Sequence, residues 1–158
     1  AFVDRVLQQD ALAFGTLNAA TGLGAVAAAL WTARYGVSSS RGKILVAATL
    51  LFPITLFFFA LNSNFYVSLL IAFFLGLGFV IYFIINPLLQ ARVEDSMRGR
   101  VLSLYTLTYW GLAPFGNLSV GNLAETWGLS AAIAWSAMVA FALTLIVWLL
   151  VPKLRMWK

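Results

Sequence analysis

Arg92, Glu94, Asp95, Arg98 and Arg100 fall within the stretch QARVEDSMRGR at 90–100, in a chain with only ten Lys and Arg and five Asp and Glu. Two carboxylates beside three guanidiniums are the parts of a general acid–base pair or of an anion clamp. They are also the parts of a wet turn between two buried helices. A second set is quieter. Phe79, Tyr82, Asn86 and Gln90 step by three, four and four, which puts them on one face of a helix. Rings leading to amides inside a bilayer are the chemistry of a pore or substrate wall, because lipid penalises the amides. The alternative is that Asn86 and Gln90 hydrogen-bond a neighbouring helix, or that Gln90 already lies among the headgroups. Tyr105, Thr108, Tyr109 and Asn117 make a weaker case in the next apolar run, and Asn18 and Thr21 a weaker one still.

The elements that must carry these residues are set by composition. The 158 residues are 63% hydrophobic and 9% charged, against about 25% charged in soluble domains. So little polar surface cannot cover a water-soluble fold of this size, and the class is an all-α integral membrane protein. The net charge of +5 suits lipid headgroups better than nucleic acid, since the basic residues sit in small groups between apolar runs and form no basic face. The chain has no Cys and no His. Disulfides, thiolate metal sites and imidazole catalysis are excluded, and no metal or cofactor is expected. The opening AFVDRVLQQD lacks the basic and apolar regions of a secretory signal.

Charge-free apolar runs give five spans, at 11–33, 44–61, 65–91, 101–124 and 129–151. Each approaches the roughly 20 residues needed to cross the hydrocarbon core. Asn62-Ser63-Asn64 and Glu125-Thr126-Trp127-Gly128 supply the turns that divide the longer runs. Arg34, Arg41, Lys43, Arg92, Arg98, Arg100, Lys153, Arg155 and Lys158 fall on one side of this arrangement, and Arg5 alone on the other. The positive-inside rule then makes the loops 34–43 and 92–100 and the tail 152–158 cytoplasmic. The lipid bilayer is the first partner. Trp31, Tyr35, Tyr66, Trp127 and Trp157 fall near span ends as interfacial anchors.

The spans differ in character. The first carries Gly15 and Ala19, then Ala20, Gly24 and Ala28 at intervals of four, a groove for close helix approach. The fourth carries Gly111, Pro114, Gly116 and Gly121, and Pro114 is expected to bend it near its middle. The second, with Pro53, and the fifth are bulky and suit lipid exposure. No Asp, Glu, Lys or Arg lies inside any span, so a proton relay at depth has no titratable group to use. An enzyme reading is poor for want of a metal, a nucleophile–base pair or paired acids within a site.

Leu89-Gln90, Val93-Glu94-Asp95 and Arg98-Gly99-Arg100-Val101, followed by Gly111, Pro114, Gly116, Gly121 and Leu123-Ala124-Glu125, resemble the major facilitator superfamily. More narrowly they look like its enterobactin-exporter and multidrug-efflux-like branch, and Pro152-Lys153-Leu154-Arg155 is similar to that branch's tail. The sequence departs from the pattern with Glu94 where a proline is usual, Ser96 where an acid is usual, and a 34–43 loop without an acid. The resemblance implies helices eight to twelve of a twelve-helix transporter. The fold would be a partial major facilitator fold, a C-terminal half lacking its first helix. It further implies a fragment whose partner is the missing N-terminal helices, with spans one and four facing the other half and span three lining the cavity.

Two functions follow as expectations. The first is the C-terminal portion of a bacterial inner-membrane exporter of a hydrophobic or amphipathic small molecule. Phe79, Tyr82 and Asn86 would touch substrate, with Tyr105 and Tyr109 as further candidates. Gly15, Ala20, Gly24, Gly111, Pro114, Gly116 and Gly121 would serve packing. The second is a free-standing five-span scaffold or assembly subunit. For the opening cluster, location disfavours catalysis. Asp95 or Ser96 is expected to cap a helix beginning near Met97. Arg92, Glu94, Asp95, Arg98, Gly99 and Arg100 form either a solvated topology loop or, by the resemblance, a cytoplasmic gate.

Overall fold

The computed structural model describes residues 11–35 and 41–150. Among these, the chain forms α1 (Ala11–Tyr35), α2 (Arg41–Leu61), α3 (Phe65–Leu77), α4 (Val80–Arg92), α5 (Asp95–Gly111), α6 (Ala113–Trp127) and α7 (Leu129–Leu150). Expectations that fall on Arg5, residues 36–40 and the tail from 151 lie outside the described residues. Among the described residues, four stretches are long and apolar enough to cross a membrane: Leu12–Arg34, Ile44–Leu61, Phe65–Arg92 and Leu129–Leu150.

The turns follow from local chemistry. Asn64 Oδ1 accepts the Tyr66 and Val67 amides at 3.0 and 3.3 Å, capping α3. Asn62 Nδ2 donates to the Asn64 carbonyl at 2.6 Å and to the buried Ser68 hydroxyl at 2.8 Å. The short polar turn thus satisfies the free amides at the helix start. Gly128 has φ 83°, and its N–H closes α6 on the Ala124 carbonyl at 3.1 Å. A side chain would strain that backbone.

Three features differ from the sequence expectation. The 101–124 stretch is two helices meeting at Leu112, not one bent helix. Pro114 has no N–H to offer the Trp110 carbonyl, and Gly111 just before it is a weak helix former. The helical ladder resumes with Gly116 N–H donating to Leu112 O at 3.1 Å. Next, the 92–100 loop shrinks to Val93 and Glu94, because α5 already begins at Asp95. Neither Asp95 nor Ser96 caps it. Glu94 holds the cap position without a side-chain bond, while the Asp95 carboxylate is taken by Arg98 Nη2 at 2.5 Å. Lastly, the span 65–91 contains a tight step at Gly78 and Phe79. Their N–H groups reach back three residues, to Leu75 and Gly76 at 3.0 and 3.1 Å, as in a short 3₁₀ turn.

Packing is set by small residues. The small-residue face of α1 is occupied by α3. Ala13, Leu17 and Ala72 are buried there, with Ala20, Phe59, Phe65 and Leu69 packed around them. Deeper along the same contact, Gly24 meets Gly76 so closely that a Cβ on either would lie 2.9 Å from the other's Cα. The bulky spans are not purely lipid-facing. α7 buries Ala132, Ala134, Ala137 and Trp148, and its main neighbours are α2 and α6. Trp148 Nε1 donates to Thr49 Oγ1 at 3.0 Å, tying α7 to α2. α2 also touches α3 and α4, which joins the two helix pairs. α5 and α6 contain no buried residue.

Candidate functional site

Tyr105 and Tyr109 are four residues apart on α5, so their rings fall on one face. They stack at a centroid distance of 6.3 Å. Tyr82, from α4, approaches both, at 6.3 Å from Tyr105 and 5.8 Å from Tyr109. All three separations are within the range of favourable ring contact. Only Val93 and Glu94 separate α4 from α5, and the reversal brings Tyr82 to the rings of Tyr105 and Tyr109.

The three rings form one wall of a cleft of about 310 Å³. Phe79, at the step before α4, and Ile81 and Ile85 on α4 extend it, and Phe52 enters from α2. The lining contains no carboxylate, ammonium or guanidinium. A guest in this cleft would meet ring faces, aliphatic contact and phenolic hydroxyls, which is how apolar small-molecule pockets obtain orientation from a few polar groups. Nothing in the lining supplies a nucleophile with its base. Among the described residues, no three His, Cys, Asp or Glu side chains are grouped to hold a metal.

The cleft brings together Phe79, Tyr82, Tyr105 and Tyr109. Asn86 is not part of its lining; its Oδ1 accepts from Gln90 Nε2 at 2.6 Å, one turn along the same helix. The two amides are therefore paired with each other along the helix rather than across to a neighbouring one. Phe52, Ile81 and Ile85 are cleft residues that sequence reasoning missed. Ile81 and Ile85 could have been found by widening the stripe around Tyr82. Phe52 carries no such signal, sitting in a run of aliphatic and aromatic residues.

The expected packing residues divide in two. Gly24 and Ala20 lie in the α1–α3 contact. Gly15, Gly116 and Gly121 would meet nothing within 4 Å if given a side chain, and Gly111 would meet only its own helix's Leu107, at 3.3 Å. Pro114 is exposed in the first turn of α6. In the charged cluster, Arg92, Glu94, Asp95, Gly99 and Arg100 are exposed and Arg98 is intermediate; an open hollow beside them is lined by Ser96, Gly99 and Arg100 but by neither acid.

A major facilitator family described as transmembrane secretion effector matches residues 2–158, essentially the whole sequence. No curated protein and no solved structure matches. Apolar helices of membrane-crossing length, an uncharged aromatic cleft and that match agree: the chain is an integral membrane protein belonging to the transmembrane secretion effector family of major facilitator transporters.

Proposed function

We propose that this chain is the C-terminal portion of a secondary active transporter that exports a hydrophobic or amphipathic small molecule by alternating access. The tyrosine cleft carries the reading: an aromatic, charge-free hollow between α2, α4 and α5 is suited to a guest whose surface is mostly apolar. In this reading there are five membrane passages. The fourth crosses in two pieces, α5 and α6, and the passages correspond to helices eight to twelve of the family's twelve. The Lys and Arg bias puts the α1–α2 and α4–α5 connections and the C-terminus in the cytoplasm of a bacterial inner membrane. The exposed face of α5 and α6, with Gly116 and Gly121 in open space, faces the transporter's other half. Rocking of the halves about a midplane site then moves the guest.

Tyr82→Ala and Asn86→Ala in the full-length transporter, assayed for efflux in cells with matched expression, test the assignment. Loss of efflux with Tyr82→Ala is expected. Unchanged efflux with Tyr82→Ala overturns the cleft as the substrate site; Asn86→Ala, outside the lining, tests whether the substrate wall extends beyond it. The reading frame upstream of residue 1 separates this proposal from a free-standing scaffold: seven further spans in frame eliminate the scaffold.

A further inference from the structure

A second cleft, of about 440 Å³, runs between α2 and the α3–α4 span, lined by Ala47, Ala48, Leu51, Phe74 and Leu77 among others. Thr55 is the lining's one hydroxyl, and it already donates to the Leu51 carbonyl at 2.9 Å. The lining therefore offers a polar guest no free side-chain donor. Leu51 and Phe74 are 58% and 51% exposed, so the cleft opens on the apolar outer surface that a membrane span turns to lipid.

The two clefts share Phe52 and Gly78 and no other lining residue. Gly78 stands at the tight step between α3 and α4. A Cβ there would overlap the Phe52 ring, whose Cε2 would be 2.9 Å away. The missing side chain is thus what seats the ring between the clefts. Phe52 is not locked in that seat, being 40% exposed. A swing about its side-chain torsions removes the partition without moving backbone.

We propose that Phe52 is a gating and selectivity side chain, and that the apolar cleft is a side entrance by which a hydrophobic molecule dissolved in the bilayer reaches the tyrosine cleft. The proposal rests on reading the tyrosine cleft as the substrate site. A hydrophobic solute concentrates in lipid, and passing along Ala48 and Leu77 costs it no desolvation. It must then displace one ring, and the width freed by that ring sets the largest molecule admitted. Beyond the ring, the hydroxyls of Tyr82, Tyr105 and Tyr109 provide the first polar partners on the route.

The chain contains no Cys, so Ile85→Cys puts a single reporter thiol of this chain in the tyrosine cleft. The full-length transporter, otherwise free of Cys, is reconstituted in liposomes. It is reacted with pyrenylmaleimide dissolved in the bilayer or with a sulfonated, membrane-impermeant maleimide. Phe52→Ala should raise the pyrenylmaleimide rate severalfold and Phe52→Trp should lower it. Ala48→Phe, which fills the apolar cleft, should cancel the gain. The sulfonated reagent should be unaffected by all three. Leu104→Cys, on an exposed part of α5 lining neither cleft, should react equally in every background and reports correct folding; Phe52→Leu replaces Phe52→Ala if it does not. Equal pyrenylmaleimide rates across the Phe52 variants, or an equal gain with the sulfonated reagent, overturn the proposal. The labelling needs no transported substrate, so its failure is distinct from failure of the Tyr82→Ala efflux test.

Discussion

Gly24 of α1 and Gly76 of α3 touch backbone to backbone. A Cβ on Gly24 would overlap the Phe73 carbonyl oxygen, and one on Gly76 would overlap that of Thr21. Both obstacles are backbone, so no rotamer change relieves them, and the helices must separate. Gly76→Ala is expected to destabilise by about 1–3 kcal/mol, the usual cost of overpacking. Gly15→Ala, with nothing within 4 Å of the new methyl, should be neutral or gain up to about 1 kcal/mol from helix propensity. Denaturant unfolding in detergent, followed by helical signal, checks both. Equal effects of the two variants would show that the Gly24–Gly76 approach is not what holds α1 to α3.

The second helix pair depends on a hydrogen bond. Trp148 is 5% exposed, and its indole N–H needs an acceptor when removed from water. Thr49 Oγ1 serves at 3.0 Å while donating its own proton to Leu45 O at 2.7 Å. Trp148→Phe removes the donor, and Thr49→Val the acceptor. Because each also alters packing, the informative quantity is the coupling in a double-mutant cycle. We expect about 0.6 kcal/mol, the average for side-chain hydrogen bonds between membrane helices, and no more than about 1.7 kcal/mol. A coupling near zero would mean α2 and α7 are held by alanine packing alone.

The helix ends give a third prediction. Asn64→Ala removes the acceptor for the Tyr66 and Val67 amides and should cost about 1 kcal/mol. Gly128→Ala forces a side chain onto a backbone with φ 83° and should cost about 1–3 kcal/mol. Thermal unfolding in the same detergent measures both. Ser63→Ala in the same turn, whose side chain makes no hydrogen bond among those found there, provides the comparison.

These cases show what a single sequence carries. The spans, the Asn62–Asn64 turn and the helix stop at Gly128 are legible because each is a local property: apolar length, a short side chain that mimics backbone, a residue without Cβ. The small spacing around Gly24 is equally visible, but its partner is not. The spacing announces a close helix approach, but only the tertiary structure names Gly76 of the same chain as what meets Gly24. Pro114 announces a disturbance, yet whether it bends or breaks the helix depends on Gly111 next to it. Tyr82 stands out as part of a stripe. Phe52 does not, because what makes it a cleft residue is the bare backbone of Gly78 opposite, a tertiary fact.

The last prediction concerns the charged cluster at the start of α5. Arg98 Nη2 meets Asp95 Oδ1 at 2.5 Å, with the two side chains 43% and 88% exposed. A solvent-exposed pair of this kind contributes no more than about 1 kcal/mol, so Arg98→Glu should barely change stability. Stability is not the only role open to Arg98. In the proposed reading the start of α5 lies on the cytoplasmic side, where the two halves of the transporter meet when that side is shut. Reversing the Arg98 charge would then disturb that contact. In the intact transporter, Arg98→Glu is therefore expected to shift the balance of inward- and outward-facing states, read as a change in thiol accessibility from the two sides of the membrane. The Asp95→Asn variant, which breaks the local pair but leaves the Arg98 charge in place, should shift it much less. Identical accessibility in wild type and Arg98→Glu would leave the cluster as a determinant of topology only.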